Sequence, residues 1–145
     1  MAENQSSSIL YAVVARQEVP LAEYSPLMGN FAVVTRTILK ALPAENKTTS
    51  YRYGEYWVRY CARDGIVFLC ICGSLAAADT CFRFLDAIRA RFVEQIGGAW
   101  RHALELELNP QFAAKLKGSI GEGPNHSNYS DQSSVKTLSE FRKFC

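Results

Sequence analysis

The pattern of apolar positions centres on residues 51–73, where two β-type runs flank the dipeptide Asp64-Gly65. An Asp-Gly pair readily takes the positive φ angles of a type I′ turn, so the two runs are predicted to form a hairpin whose loop fixes their register. The second run, 66–72, is apolar on both faces, whereas a strand with one solvated face would alternate. This strand is therefore predicted to lie inside a sheet that is covered on both sides.

Apolar periodicity elsewhere predicts three more strands, at residues 9–16, 21–25 and 49–53. A helix is expected to begin after Asn30, a good N-cap residue, and to end at Pro43.

A longer helix is predicted to follow the hairpin. Its buried stripe consists of Cys81, Phe82, Leu85, Ile88, Phe92 and Ile96. The pair Gly97-Gly98 is a signal for its end, and Asn109-Pro110 is a signal for the start of a third helix. Residues 100–108 between them are compatible with either helix or loop. The predicted element order is therefore β-β-α-β-β-β-α-α, an α+β fold in which a five-stranded sheet is the middle layer of an α-β-α sandwich.

Composition divides the chain into three parts. Residues 1–8 are polar and are expected to be a disordered extension, while residues 9–118 contain all the predicted elements. Residues 119–145 begin with a stretch rich in Gly, Ser and Asn, which predicts a flexible linker or tail.

The charge balance excludes one class of partner. The chain has 145 residues, 16 basic and 14 acidic, and a formal net charge of +2 without a basic cluster. A nucleic-acid-binding surface would need such a cluster, so no nucleic-acid partner is expected. No apolar run reaches the length of about 18 residues that would indicate a membrane-spanning helix.

Candidate chemistry is sparse. Cys70 and Cys72 would share one face of a strand, with Cys61 as the nearest further thiol, but neither histidine has zinc-ligand spacing to this pair. Free buried thiols are the preferred interpretation, and no metal or cofactor is expected. Cys81 and His102 lie on predicted adjacent elements and could approach each other as a nucleophilic pair, but a surface or capping role of the histidine is the preferred interpretation. The chain is predicted not to be an enzyme.

The order and spacing of several segments resemble the longin domain of R-SNAREs, the vesicle-associated membrane proteins of endosomes and lysosomes. These segments are ILYAVVAR, GNFAVVTRTIL, LPAEN, SYRYGEYWVRY, DGIVFLCI and FRFLDAIRARF. The resemblance runs from about residue 9 to residue 116. It implies the longin or profilin-like form of the three-layer fold.

The resemblance also implies a function without catalysis. Longin domains of this type regulate a SNARE, either by folding back on its helix and inhibiting assembly or by binding trafficking adaptor or coat proteins that sort it. The implied location is the cytosolic face of endosomal, lysosomal or transport-vesicle membranes. An alternative with the same fold is a core subunit of an adaptor coat or tethering complex.

The family pattern continues with a heptad-repeat SNARE motif and a membrane anchor, and neither pattern is found in residues 119–145. The chain is therefore interpreted either as a piece of a longer natural form that carries the anchor or as a natural form without the motif. Both interpretations remain open at this point.

The resemblance places partner binding in a groove between the first helix and the third strand. The residues implied at this groove are Phe31, Val34, Thr35 and Ile38 on the helix, with Thr49 and Tyr51 on the strand. Close relatives carry a larger aliphatic residue at the Thr49 position, so a weaker or differently tuned groove is expected. The substitution Tyr51→Ser is expected to weaken binding and leave the fold intact.

Overall fold

The computed structural model describes residues 9–25 and 31–120, and within them the predicted element order is confirmed. Five strands and three α-helices follow one another as β-β-α-β-β-β-α-α. Their bounds are β1 Ile9–Arg16, β2 Val19–Tyr24, α1 Phe31–Ala41, β3 Lys47–Tyr53, β4 Tyr56–Arg63, β5 Ile66–Gly73, α2 Ala78–Ile96 and α3 Asn109–Ser119.

The strands form one antiparallel sheet in the order β2-β1-β5-β4-β3. The central strand is β5, and all eight of its residues are buried, as its apolar character on both faces predicted. The hairpin between β4 and β5 has the predicted register, with Arg63 opposite Ile66. Its turn residues Asp64 and Gly65 have φ angles of 54° and 91°, as a type I′ turn requires.

Some predicted boundaries were wrong by a few residues. Strand β2 begins at Val19 instead of residue 21, and β3 begins at Lys47 instead of residue 49. In both cases hydrogen bonding to the neighbouring strand extends the strand beyond the apolar run from which it was predicted. The segment 100–108, compatible with helix or loop, starts in a short 3-10 helix, Gly97–Arg101, and continues as turns.

Other predictions concern residues outside the described ranges. The N-cap assigned to Asn30, the disordered extension 1–8 and most of the tail 119–145 belong to this group.

The sheet separates two apolar cores. On one face, α1 packs on alternate residues of β1, β4 and β5 through Ile38 and Leu39. On the other face, α2 and α3 cover the intervening residues. There the ring of Phe92 meets those of Phe68 and Phe112 edge to face, with centroid distances of 5.8 and 5.2 Å. This is the three-layer α-β-α sandwich that the sequence predicted.

Candidate partner-binding surface

Helix α1 lies along the sheet and leaves one side of itself in solvent. Its apolar residues at helical spacing place Ile38 and Leu39 against the sheet, while Val33 on the outer side is 64% exposed. The helix starts near Tyr56, at the first residue of β4, because the Phe31 ring meets that tyrosine edge to face at 5.4 Å. Its last turn lies near Ala62, at the other end of β4.

The six residues predicted to bind partners fall into two groups that differ in burial. Those that are buried are Thr35, Ile38, Thr49 and Tyr51. The other two, Phe31 and Val34, are half-buried and pack against the same apolar cluster as Ile38 and Tyr51. The structure therefore brings helix and strand residues together, but it exposes only Phe31 and Val34 of the six.

Tyr51 in particular is part of the core. Its side chain is only 3% exposed, and its ring stacks on Tyr60 with a centroid distance of 5.9 Å and an interplanar angle of 19°. Burial of a large aromatic residue stabilises the domain, so the expectation that Tyr51→Ser leaves the fold intact conflicts with this packing.

Half-buried aromatic residues that the sequence interpretation missed surround the start of α1. The Tyr53 and Tyr56 rings lie 6.1 Å apart, and Phe31 contacts Tyr56. We refer to Phe31, Tyr53 and Tyr56 as the aromatic rim. Strand alternation could have revealed Tyr53, since it lies two residues after Tyr51 and so on the same face, and Tyr56 is its partner across the hairpin.

The two edges of the sheet differ. Beyond β2, the segment 106–109 runs alongside and bonds to it: Leu106 N–H donates to the Pro20 carbonyl at 2.8 Å, and Leu108 N–H donates to the Leu21 carbonyl at 3.1 Å. Beyond β3, no further strand pairs in the part of the chain that the structure describes. Among the described residues, the edge that lacks a neighbouring segment is therefore β3, next to the aromatic rim.

Comparison with known proteins assigns this arrangement to a family. Residues 21–116 match the family model Longin, described as a regulated-SNARE-like domain. The chain belongs to the longin family. Membership of this family supports the prediction that the chain is not an enzyme.

Curated relatives of this longin chain are vesicle-associated membrane proteins. Over 113 residues it is 36% identical to vesicle-associated membrane protein 7 of Homo sapiens, a match that covers 78% of this chain and 51% of the relative. Vesicle-associated membrane protein 7B of Dictyostelium discoideum is 30% identical, with coverages of 90% and 48%. Vesicle-associated membrane protein 711 of Arabidopsis thaliana is 33% identical, with coverages of 83% and 56%. The chain thus spans about half the length of these relatives.

A cleft of about 290 Å³ lies at the C-terminal end of α1 in this longin chain. Its apolar floor includes Leu39, Ala62 and Val67, while Lys40 and Glu45 bring charges to its lining. The cleft and the aromatic rim therefore lie at opposite ends of α1.

Potential metal ligands lie on the opposite face of the sheet. Cys70, Cys72 and Cys81 place their sulfur atoms within 4.8 Å of one another, and all three side chains are buried. Cys61, the nearest further thiol by sequence spacing, is not part of this group, and Cys81 of α2 takes that place. No described helix combines the length and apolar character that crossing a membrane requires.

Proposed function

We propose that the chain is the regulatory longin domain of an R-SNARE that acts in vesicle-mediated transport, and that a partner segment docks between α1 and β3. The observation that carries the proposal is the difference between the two sheet edges. Segment 106–109 covers β2, whereas no described segment pairs with the outer side of β3, which lies beside half-buried aromatic side chains. Edge strands and half-buried apolar rims are the features that extended or helical segments recognise.

The predicted binding residues take two roles in this proposal. Phe31 and Val34, together with Tyr53 and Tyr56 of the aromatic rim, offer the surface that a partner covers. The buried set, Thr35, Ile38, Thr49 and Tyr51, holds α1 and β3 at the spacing that shapes the groove. Substitutions in the first group are therefore expected to affect affinity, and those in the second group to affect stability.

The proposed occupant is a SNARE helix, either from the longer natural form of this protein or from a cognate SNARE. An amphipathic helix can place its apolar face against the aromatic rim while its polar face stays in water. Fold-back of this kind would inhibit SNARE assembly until a partner released the helix. Binding of a trafficking adaptor at the same surface, on the cytosolic side of endosomal or lysosomal membranes, would sort the protein as cargo.

Two neighbouring valines on α1 provide a matched test. Val34 is half-buried in the proposed groove, whereas Val33 points outward and is 64% exposed. A half-covered valine that becomes fully buried contributes about 1 kcal/mol, and a carboxylate there adds a desolvation penalty. Val34→Asp is expected to weaken binding of a recombinant R-SNARE motif by about tenfold or more, and Val33→Asp to leave the affinity within about twofold.

Binding would be measured by calorimetry, and the contact surface by amide chemical-shift changes in the full chain. Shifts around Phe31, Val34 and Tyr53 are the expected result, with a thermal melt of each variant to verify folding. Equal affinities for the two aspartate variants, or shifts confined to the α2 face near Val93, would contradict the docking site. Recovery of the native protein only within a constitutive coat or tethering complex would favour the alternative function.

A further inference from the structure

The face of the sheet opposite the groove contains an unusual buried group of three thiols and one guanidinium. Cys70 and Cys72 alternate along β5 and point toward α2, and Cys81 comes from the first turn of α2. The Cys72 and Cys81 sulfur atoms are 2.9 Å apart, and those of Cys70 and Cys72 are 3.6 Å apart. We define these three residues with Arg59 as the thiol cluster.

Arg59 enters the thiol cluster from β4, because it lies directly opposite Cys70 in the β4–β5 ladder. Its side chain is 3% exposed and donates to Ser50 Oγ at 3.0 Å, to the Ala76 carbonyl at 3.2 Å and to Cys81 Sγ at 3.5 Å. Among the described residues, no carboxylate forms a salt bridge with it. A buried guanidinium without a carboxylate partner is costly, so an anion at the thiols would offset a substantial charge penalty.

The pKa values of the three cluster thiols shift in different directions. Hydrogen bonds from the Cys70 and Cys72 thiols and the charge of Arg59 lower the pKa of Cys81, although burial alone would raise it. The N-terminal turn of α2 adds the positive end of the helix dipole. For Cys70 and Cys72 burial dominates and raises the pKa. The cluster therefore places three sulfur atoms beside one fixed cation.

We propose that the thiol cluster is a binding site for a soft, closed-shell metal ion, Cu(I) or Zn(II), held by the sulfur atoms of Cys70, Cys72 and Cys81 with Arg59 as the countercharge. Thiolate ligands select these ions over harder cations. A metal–sulfur bond of about 2.3 Å requires sulfurs roughly 3.8–4.0 Å apart, so the Cys72–Cys81 pair would open by about 1 Å. Each thiol that becomes a ligand gives up its proton to solvent, and no electron is transferred.

Charge favours the same assignment. A complex of Zn(II) with three thiolates has a net charge of −1, which the charge of Arg59 neutralises. The corresponding Cu(I) complex has a net charge of −2, and Arg59 reduces it to −1. Ala12 of β1, opposite Cys70, contributes only a methyl group next to the sulfurs. In the described part of the chain, no further Cys, His, Asp or Glu joins the group, so coordination by three sulfurs is expected.

The test uses the full chain with Cys61→Ser and Cys145→Ser, so that the three cluster thiols are the only cysteines left. The reduced protein is titrated anaerobically with Cu(I) and, separately, with Zn(II), each against a competing chelator. X-ray absorption at the metal edge then counts the sulfur ligands. We expect one equivalent of at least one ion to bind with three sulfurs at about 2.3 Å, and the original cysteine set to give the same affinity.

Variants of the cluster complete the test. Cys81→Ala and Cys72→Ala should each weaken binding by more than about 100-fold, beyond the 10- to 100-fold that loss of an outer partner costs. Arg59→Lys keeps a positive charge and should weaken binding less than either of them. Circular dichroism of the metal-free variants verifies folding, and because two cysteine variants are used, one remains informative if the other unfolds.

Three results would overturn the proposal. The first is that neither ion competes with the chelator. The second is that a bound ion has no sulfur ligands or survives both cysteine substitutions unchanged. The third is that a disulfide between Cys72 and Cys81 persists under the reducing conditions of the titration, which would leave only one thiol of the cluster for a metal.

Discussion

Truncation of Tyr51 tests whether its side chain is part of the hydrophobic core beneath α1. The Tyr51 ring is almost fully buried, stacks on Tyr60 and belongs to the same apolar cluster as Ile38 of α1. The substitution Tyr51→Ser removes the whole ring and leaves a hydroxyl in an apolar space. It therefore loses buried apolar area, opens a cavity and removes an aromatic contact at once.

The expected cost can be estimated from these losses. Truncation of a buried aromatic residue costs roughly 3–5 kcal/mol, and the stacked pair adds about 0.5–1.5 kcal/mol beyond area. Tyr51 lies on an edge strand that can relax toward solvent, so we expect a value near the lower end, about 3–4 kcal/mol. Since domains of this size are stable by about 5–15 kcal/mol, the melting temperature should fall by roughly 10–20 °C.

Urea unfolding, followed by both tryptophan fluorescence and far-UV circular dichroism, measures the change in the free energy of unfolding. Tyr51→Phe is the matched control, because it keeps the ring and should cost only about 1 kcal/mol. If Tyr51→Ser were as stable as Tyr51→Phe, the ring would contribute nothing to the core, and the packing argument would be refuted. If the prediction holds, a loss of binding in Tyr51→Ser reports on folding and not on contact.

Two further predictions concern the turn and the buried tyrosines. Gly65→Ala should lower the free energy of unfolding by about 1–2 kcal/mol, because φ there is 91°, although an added methyl would meet Trp100 only at 3.9 Å. The same change at Gly118 within α3 should raise it by about 0.5–1 kcal/mol, and equal effects in urea unfolding would contradict this assignment. Burial raises the pKa of Tyr11 and of Tyr60, with Glu23 adding to the shift of Tyr11. Above about pH 10 the unfolded tyrosines lose protons that the folded ones keep, so stability should fall by up to about 1.4 kcal/mol per pH unit for each. Unfolding between pH 9 and 11 should show a shallower fall in Tyr11→Phe, and parallel curves for the two proteins would exclude the role of Tyr11.

The fold could be predicted from the sequence because its signals are local. The Asp64-Gly65 pair specifies its own turn, and the apolar run after it identifies the central strand. Residues 100–108 lack such a signal: Leu106 has a positive φ of 58°, and its N–H bonds to Pro20. A contact between segments more than eighty residues apart leaves no periodicity in either of them.

The proposed binding surface was harder to predict for the same reason. Sequence spacing places Tyr51 on a face of β3 but does not say whether α1 covers that face.

The thiol cluster was missed because Cys81 joins Cys70 and Cys72 only after α2 folds onto the sheet. Nearness in the sequence suggested Cys61, on the neighbouring strand, instead. Both candidate sites depend on which helix packs on which strand, and no local sequence pattern encodes that packing.

The cover over β2 has a consequence for how many molecules can assemble. A sheet with two open edges can add strands on both sides, and repeated addition leads to open-ended fibres. Here Leu106 and Leu108 occupy the edge at β2, so among the described residues only the edge at β3 is open to strand addition. The β3 edge can pair with one docked segment, or with the β3 edge of one second copy of the chain, and it is then occupied. Growth by strand pairing through these described edges would therefore end after a single step.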